Sequence, residues 1–250
     1  QSIIYEWTDT NINNNTFEGS AREILRAGLN FPLHPMADML FNPLAKPGDA
    51  DYGNLYISTG DGEAGERAGV THPVPQRLDA LPGKILRITP DITLRPQDKL
   101  AASGQYRIPS TGPNANPFVN VPIAHGEIFA YGLRNPHRIT WDTVTNTLIS
   151  ADIGDHSWEE LNIIVKGGNY GWPYYEGTHL STTLYTGKPG LSIPPSGYVR
   201  DGPTWEYPHN SVSGADPSFA GLDVCGSLPY HGARIPALTN AYLFGDFDTG

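Results

Sequence analysis

A single cysteine, Cys225, stands among the 250 residues, so no intrachain disulfide can form. That count suits a cytoplasmic protein, and equally a bacterial periplasmic one stabilised by other means. Basic residues are scarce: 16 Lys and Arg against 26 Asp and Glu leave a formal net charge of −10. No Lys/Arg run offers the basic stripe that a nucleic-acid surface needs, which argues against a nucleic-acid partner. No apolar stretch approaches the length that spans a bilayer, so no membrane-spanning helix is expected. Few stretches longer than eight residues escape Gly or Pro, which excludes long helices. The His/Cys spacing of a zinc site is missing too. The chain begins at Gln1 without a signal peptide, as expected after a cleavage or a truncation.

Gly and Pro, by contrast, are abundant at 28 and 23, and with 13 Tyr, 8 Phe and 5 Trp the chain can still build a packed interior. Many short strands joined by turns are expected. Three segments repeat a pattern of Asn, a β-rich run, then Gly and Asp. They are Asn54-Leu55-Tyr56-Ile57-Ser58-Thr59-Gly60-Asp61, the run from Asn146 to Asp155, and Asn240-Ala241-Tyr242-Leu243-Phe244-Gly245-Asp246. An apolar run and a turn precede each, and in the first two copies another strand follows, Lys84–Ile88 and Leu161–Val165. Strand, turn, strand, loop, strand is the grammar of a propeller blade. Unrelated strands of a β-sandwich are the alternative.

The repeated asparagines stand 92 and 94 residues apart, against about 40–50 for an ordinary blade. The excess lies in Pro/Gly-rich stretches, about 89–126 and 178–217, read as long loops on the face where a propeller builds its site. The expected fold is all-β: one domain over 1–250, a six-bladed β-propeller. A propeller closes its ring to remove sheet edges. Three or four recognisable blades cannot close one, so the chain is expected to be incomplete at both ends.

Two stretches carry chemistry. In Ala130-Tyr131-Gly132-Leu133-Arg134-Asn135-Pro136, a strand delivers Arg134 and Asn135 to a turn, and Pro136 stops the sheet pairing. Arg presents a fixed fork of donors suited to carboxylates; a structural salt bridge is the plainer use. Further on, Asp152-Ile153-Gly154-Asp155-His156-Ser157-Trp158-Glu159-Glu160-Leu161-Asn162 leads to Lys166-Gly167-Gly168-Asn169-Tyr170-Gly171-Trp172-Pro173. Carboxylates and a Gly-rich backbone crowd this stretch with oxygen ligands of the kind Ca2+ takes, six to eight at a time. Solvated acids at a strand start would look the same.

These motifs in this order resemble the soluble quinone-dependent aldose (glucose-type) sugar dehydrogenases. Ser58-Thr59-Gly60-Asp61-Gly62 and Leu81-Pro82-Gly83-Lys84-Ile85-Leu86-Arg87-Ile88 resemble the preceding blade of that family. The resemblance is strong over roughly 31–177 and returns around Leu243–Phe247. It implies a six-bladed propeller with pyrroloquinoline quinone (PQQ) lying across its mouth over a bound Ca2+. Its catalytic base is a His nine residues before a Pro, a spacing that His34 and Pro43 share. By the same matching, Arg134 and Asn135 contact the quinone. The carbonyls of Gly154 and Asp155 bind the cofactor's Ca2+, and Glu160 and the Tyr170 carbonyl belong to a second, structural Ca2+ site.

The resemblance further implies oxidation of an aldose sugar at its anomeric carbon to the lactone. His34 takes the hydroxyl proton, the hydride goes to PQQ, and an external electron acceptor reoxidises the cofactor. A periplasmic or secreted location is implied with it. Departures from the pattern lie after His34, which Pro35-Met36-Ala37-Asp38 follow in place of small residues, and at Asp155, where Pro or Gln is commoner. Asp38 would bring a negative charge towards an anionic cofactor. Those departures favour an alternative, a non-catalytic Ca2+-stabilised propeller that binds a protein or glycan. A propeller lactonase, with Ca2+ and no quinone, is a third reading. Trp205 and Tyr207 are expected either in a sugar platform at the mouth or in the core. The remaining histidines are expected in turns and at the surface, and Cys225 as a small buried apolar residue.

Overall fold

The computed structural model describes residues 1–67, 69–181 and 193–247. Strands dominate, as the Gly/Pro punctuation requires. In chain order they are β1 (Ser2–Asp9), β2 (Gly19–Ala27), β3 (Met36–Phe41), β4 (Leu55–Thr59), β5 (Lys84–Ile88), β6 (Lys99–Leu100), β7 (Arg107–Ile108) and β8 (Ile128–Tyr131). The second half contributes β9 (Pro136–Asp142), β10 (Thr147–Asp152), β11 (Trp158–Ile164), β12 (Tyr175–Glu176), β13 (His179–Leu180), β14 (Trp205–Pro208), β15 (Val224–Tyr230) and β16 (Ala241–Asp246). Among the described residues the only helical pieces are two single 3-10 turns, Val74–Gln76 and Pro236–Leu238.

Two antiparallel four-stranded sheets, β3-β4-β5-β8 and β9-β10-β11-β14, form the centre, with the hairpins β1-β2 and β15-β16 on either side. Each repeat found in the sequence supplies the second strand of its unit: β4, β10 and β16. The leading strands stand side by side, with β9 packed against both β3 and β15. Sheets therefore stack face to face around their leading strands, as blades do.

Side-chain alternation shows how the stacking is built. Leu55 and Ile57 of β4, with Leu86 and Ile88 of β5, face the β1-β2 hairpin and pack on Ile4, Ile24 and Leu25. Tyr56 and Ile85 point the other way, onto Ile139, Leu148 and Ile164 of the second sheet. A strand sends successive side chains to opposite faces, and here both faces are covered, so every residue of β4 and β5 is buried. Each such aliphatic contributes roughly 1.5–3 kcal/mol relative to exposure. A third core joins Ala151, Leu161 and Tyr207 to Val224 of the last hairpin.

The repeated Asn and Asp have distinct jobs. Asn146 and Asn240 sit just before β10 and β16 at φ of 56° and 63°, a left-handed conformation that Asn tolerates. Asp152, closing β10, accepts from the backbone of Arg134 and Asn135; Asp246, closing β16, accepts from Leu222 and Asp223. Each carboxylate thus pins the turn that enters its own leading strand.

Neither Pro/Gly-rich stretch is simply a loop over the site. Residues 89–126 leave β5 at Ile88, the end of the sheet away from Thr59 and Tyr131, and include the β6-β7 hairpin. The stretch 178–217 contains β14, the fourth strand of the second sheet; residues 182–192 lie outside the described residues. Hydrophobic periodicity in Trp205–Pro208 is too short to read through its proline flanks.

Candidate active site

The ends of β4, β8 and β10 converge, and the turns beyond them carry the candidate residues. Asp61 N donates to the Arg134 carbonyl at 2.7 Å, and Ile153 N to that of Asn135 at 3.1 Å, which ties the three turns together. The segment before β3 brings His34 to the same place, in a left-handed conformation at φ 49°. Gly60 allows this approach: a Cβ there would lie 2.6 Å from His34 Cβ.

His34 Nδ1 lies 2.8 Å from Asp61 Oδ1. Asp61 is fully buried and also accepts from the backbone of Glu63 and Gly65 and from Trp172 Nε1, at 2.9, 2.9 and 2.8 Å. Burial by itself would raise the Asp61 carboxyl, but His34, Arg134 and Trp172 together hold it below the ordinary value. An ionised Asp61 fixes the ring so that Nε2 is the nitrogen left to take a proton.

Arg134 is buried against the same cluster. Its Nη1 donates to the carbonyls of Ile153, at 3.0 Å, and Gly154. Its Nη2 pairs with Glu66 Oε1 and lies 3.4 Å from Asp155 Oδ1, and the guanidinium stands 5.7 Å from the Trp172 ring. Burial would lower its pKa, but Glu66, Asp155 and Asp61 outweigh that and raise it. Glu66 Oε1 is also 3.7 Å from His34 Nδ1, so one carboxylate oxygen touches both the imidazole and the guanidinium. Burial raises the Glu66 carboxyl despite Arg134, and Asp155 and Asp61 add to the rise.

Asn135, half-buried, donates its backbone N–H to Asp152 Oδ1 at 2.7 Å. Gly154 could be no other residue, because a Cβ would lie 1.9 Å from the Trp158 carbonyl oxygen. Glu160 lies buried at the start of β11, opposite Asp152 across the sheet. Burial pushes both carboxyls well above the ordinary range; Asp152 and Glu176 add to the rise at Glu160, and Asp61 to that at Asp152. Tyr170 places its ring in the core and its hydroxyl on the Ile163 carbonyl, 2.7 Å away. Asn162 stands between Glu160 and Tyr170: it donates to Glu160 Oε2 at 3.0 Å and, with the Tyr170 ring, flanks Gly202.

Several expectations need correction. Asp38 lies between the leading strands, accepting from Ile139 N at 3.2 Å, rather than against the cluster. Of the two readings left open for the aromatic pair, Tyr207 takes the core one, buried, bonded to Asp246 at 2.7 Å and packed with Phe219 and Phe244, while Trp205 beside it is exposed. Trp205 begins β14 at the end away from Trp158. His72 and His209 are buried, not surface turns, and His209 Nε2 meets Glu159 Oε1 at 2.6 Å. Cys225 is only half-buried. Sequence reasoning left Asp61, Glu66, Trp172, Glu159 and Glu176 without roles. Asp61 and Trp172 were inside quoted motifs; Glu66 has no local signal, because its partners come from other turns.

Residues 48–249 match the glucose/sorbosone dehydrogenase family. The chain belongs to that family. The HIPL1 protein of Arabidopsis thaliana is 30% identical over 255 residues, covering 98% of this chain and 34% of that protein. Quinoprotein glucose dehydrogenase B of Acinetobacter calcoaceticus is 42% identical over 65 residues, 26% of this chain and 13% of that protein. The crystal structure of the soluble aldose sugar dehydrogenase from Escherichia coli in its apo-form superposes with a TM-score of 0.56 at 22% identity, over 90% of this chain and 52% of that one. At that identity the likeness shows the fold: an all-β chain with propeller-fold neighbours. The chain spans about a third of the length of the first curated relatives it matches.

Proposed function

We propose that the chain forms part of a six-bladed, PQQ-dependent sugar dehydrogenase that oxidises an aldose at its anomeric carbon to the lactone. The observation that carries this is the convergence of His34 and Arg134, a hundred residues apart, on one oxygen of Glu66.

The residues present fit both implied groups. Asp61, Glu66 and Asp155 face one guanidinium and one imidazole, so the cluster carries surplus negative charge. An anionic quinone fits there only beside a divalent cation. The carbonyls of Gly154 and Asp155 are hard oxygen donors for that Ca2+, in a turn too tight for any side chain at Gly154. At the second position, Asn162 Oδ1 is buried and has no hydrogen-bond partner among the described residues, while Glu160 beside it is held above its ordinary pKa. A cation between Glu160, Asn162 and the Tyr170 carbonyl would satisfy both. Among the described residues no group of three or more His, Cys, Asp or Glu side chains is arranged as a metal site.

PQQ, when bound, supplies the acceptor for the hydride leaving the anomeric carbon. His34 Nε2 takes the proton from the anomeric hydroxyl, while Asp61 keeps the ring oriented and stabilises its positive charge. Arg134 and the side chain of Asn135 offer donors to the developing negative charge. The Trp172 ring covers one side of the guanidinium, 5.7 Å away. Periplasmic or secreted location and an external electron acceptor belong to the same proposal. Among the described residues no helix is long and apolar enough to cross a membrane.

One observation favours a second reading. Both terminal nitrogens of Arg134 are already engaged by Glu66, Asp155 and two carbonyls, as in a propeller that uses Ca2+ only for stability and binds a protein or glycan. The test is to add CaCl2 and PQQ to the full-length protein and follow dye reduction with a panel of aldoses together with the melting temperature. Dye reduction that disappears in His34→Ala is expected. A melting temperature raised by Ca2+ but indifferent to PQQ, without dye reduction, would replace the dehydrogenase with the binding propeller.

A further inference from the structure

Five consecutive peptide N–H groups, from Gly154 to Trp158, end on two buried carboxylates. Gly154 N donates to Glu159 Oε1 at 3.1 Å. A single oxygen of Glu176, Oε1, accepts the next four: Asp155 at 2.7 Å, His156 at 2.8 Å, Ser157 at 2.7 Å and Trp158 at 3.1 Å. Both glutamates are buried. Backbone N–H groups that converge in this way form an anion-binding concavity, and here the anion is a side chain of the same protein.

The geometry has a direct consequence for the carbonyls. Cis peptide bonds occur elsewhere, at Trp172-Pro173 and Gly202-Pro203, so the peptides of this turn are trans and planar. In a trans peptide the C=O points opposite to the N–H of the following residue. Directing the Gly154 N–H at Glu159 therefore turns the Ile153 carbonyl away from it. Directing the N–H groups of Asp155 and His156 at Glu176 does the same for the carbonyls of Gly154 and Asp155. The first two carbonyls indeed reach Arg134 Nη1 in the candidate site, and the third lies 2.7 Å from His156 Nδ1.

We propose that Glu176 is the positioning residue that aims the Gly154 and Asp155 carbonyls at a divalent cation. This rests on the assignment of those two carbonyls to Ca2+. Residues 153–157 belong to no strand, so no sheet ladder orients them, and the glutamates take its place. Glu176 is itself held from behind: its neighbour Gly177 donates to Glu160 Oε1 at 2.6 Å, and Thr178 bonds Glu206 through its backbone N–H and its hydroxyl. The hairpin therefore keeps its anchors when the Glu176 side chain is changed.

The experiment is a calorimetric titration of the full-length protein with CaCl2, paired with Tb3+ luminescence lifetimes in H2O and D2O, which count the waters on the bound ion. Glu176→Gln is expected to weaken Ca2+ binding 10- to 100-fold, the range seen when outer-shell partners of metal ligands are lost, and to add water to bound Tb3+ as a carbonyl turns away. Glu23→Gln removes the same charge from a partly exposed position of β2 without touching the 154–158 turn or the hairpin that carries Glu176, and is expected to leave affinity and lifetime at their wild-type values. Glu176→Asp, which keeps the charge but withdraws the acceptor, serves if the Gln variant does not fold, with the same loss expected. Wild-type affinity and lifetime in the Glu176 variants, or equal losses in Glu23→Gln, would overturn the proposal. A wild-type protein that takes up no Ca2+ would instead bring down the cation assignment beneath it.

Discussion

Trp172 Nε1 donates to Asp61 Oδ2 at 2.8 Å, joining residues 111 apart at the carboxylate that also holds His34. The second sheet's outlying segment thus reaches back to orient the candidate base on the first. Gly65 leaves room for this contact, since a Cβ there would lie 2.1 Å from Trp172 Nε1. Trp172→Phe keeps the ring and removes the donor, at a cost of about 1–3 kcal/mol for a buried acceptor left short of a partner. Asp61 has a lowered pKa in the folded protein, so its stabilising contribution is present above the unfolded carboxylate value and is lost as pH falls through the folded one. Losing the Trp172 bond raises the folded value, and acid unfolding followed by circular dichroism should begin at higher pH in the variant. An unchanged acid limb would show that this bond does not hold Asp61.

Gly154→Ala places a methyl 1.9 Å from the Trp158 carbonyl oxygen. Because backbone atoms are in the way, the turn must move, at a cost of about 1–3 kcal/mol typical of overpacking. The rise in melting temperature expected of the wild type in CaCl2 should shrink with it. Retention of that rise would separate the Gly154 carbonyl from the cation.

Lys84 is fully buried, with Nζ donating to the carbonyls of Val74, Pro75 and Pro82 at 3.1, 2.8 and 2.7 Å. Burial lowers its pKa to about 7. The loop it gathers carries Gln76, whose amide reaches Asn169 Oδ1 and the Trp172 carbonyl. Lys84→Met fills the space but leaves three carbonyls without their donor, and urea denaturation should show a loss on the order of 3 kcal/mol. A loss below about 1 kcal/mol would mean that the loop is held mainly by other contacts.

His231 lies 2.9 Å from both Asn240 and Asp142 through its two ring nitrogens, and these hydrogen bonds raise its pKa above 6.5. A group raised on folding stabilises most below its unfolded pKa and loses that contribution as pH rises through the folded value. NMR titration of the imidazole should therefore give a value above 6.5, and Asp142→Asn should bring it down. A His231 that titrates at the free-imidazole value in the wild type would contradict the contact between β9 and the last hairpin.

Much of the architecture was legible because it depends on local chemistry. The three Asn-strand-Gly-Asp segments became β4, β10 and β16, since alternation and a residue that tolerates the left-handed turn, Gly53, Asn146 or Asn240, are properties of a few adjacent residues. The resemblance pointed to His34, Arg134 and Gly154, and the fold brings all three to one end of the sheets. β14 escaped notice because four residues flanked by prolines carry too little periodicity. Tyr207 could be read as core or platform until its neighbours Phe219 and Phe244 were known.

By itself, the sequence determined an all-β chain of repeated units, acidic and with a single cysteine, with a quinone-dehydrogenase-like set of motifs. Those follow from composition and from patterns within a dozen residues. Only the tertiary structure decided that Glu66 bridges His34 and Arg134, that Trp172 steadies Asp61, and that Glu159 and Glu176 orient the 154–158 turn. Each of these joins side chains whose turns come together only when the sheets stack, and burial then makes their charges and hydrogen bonds depend on one another.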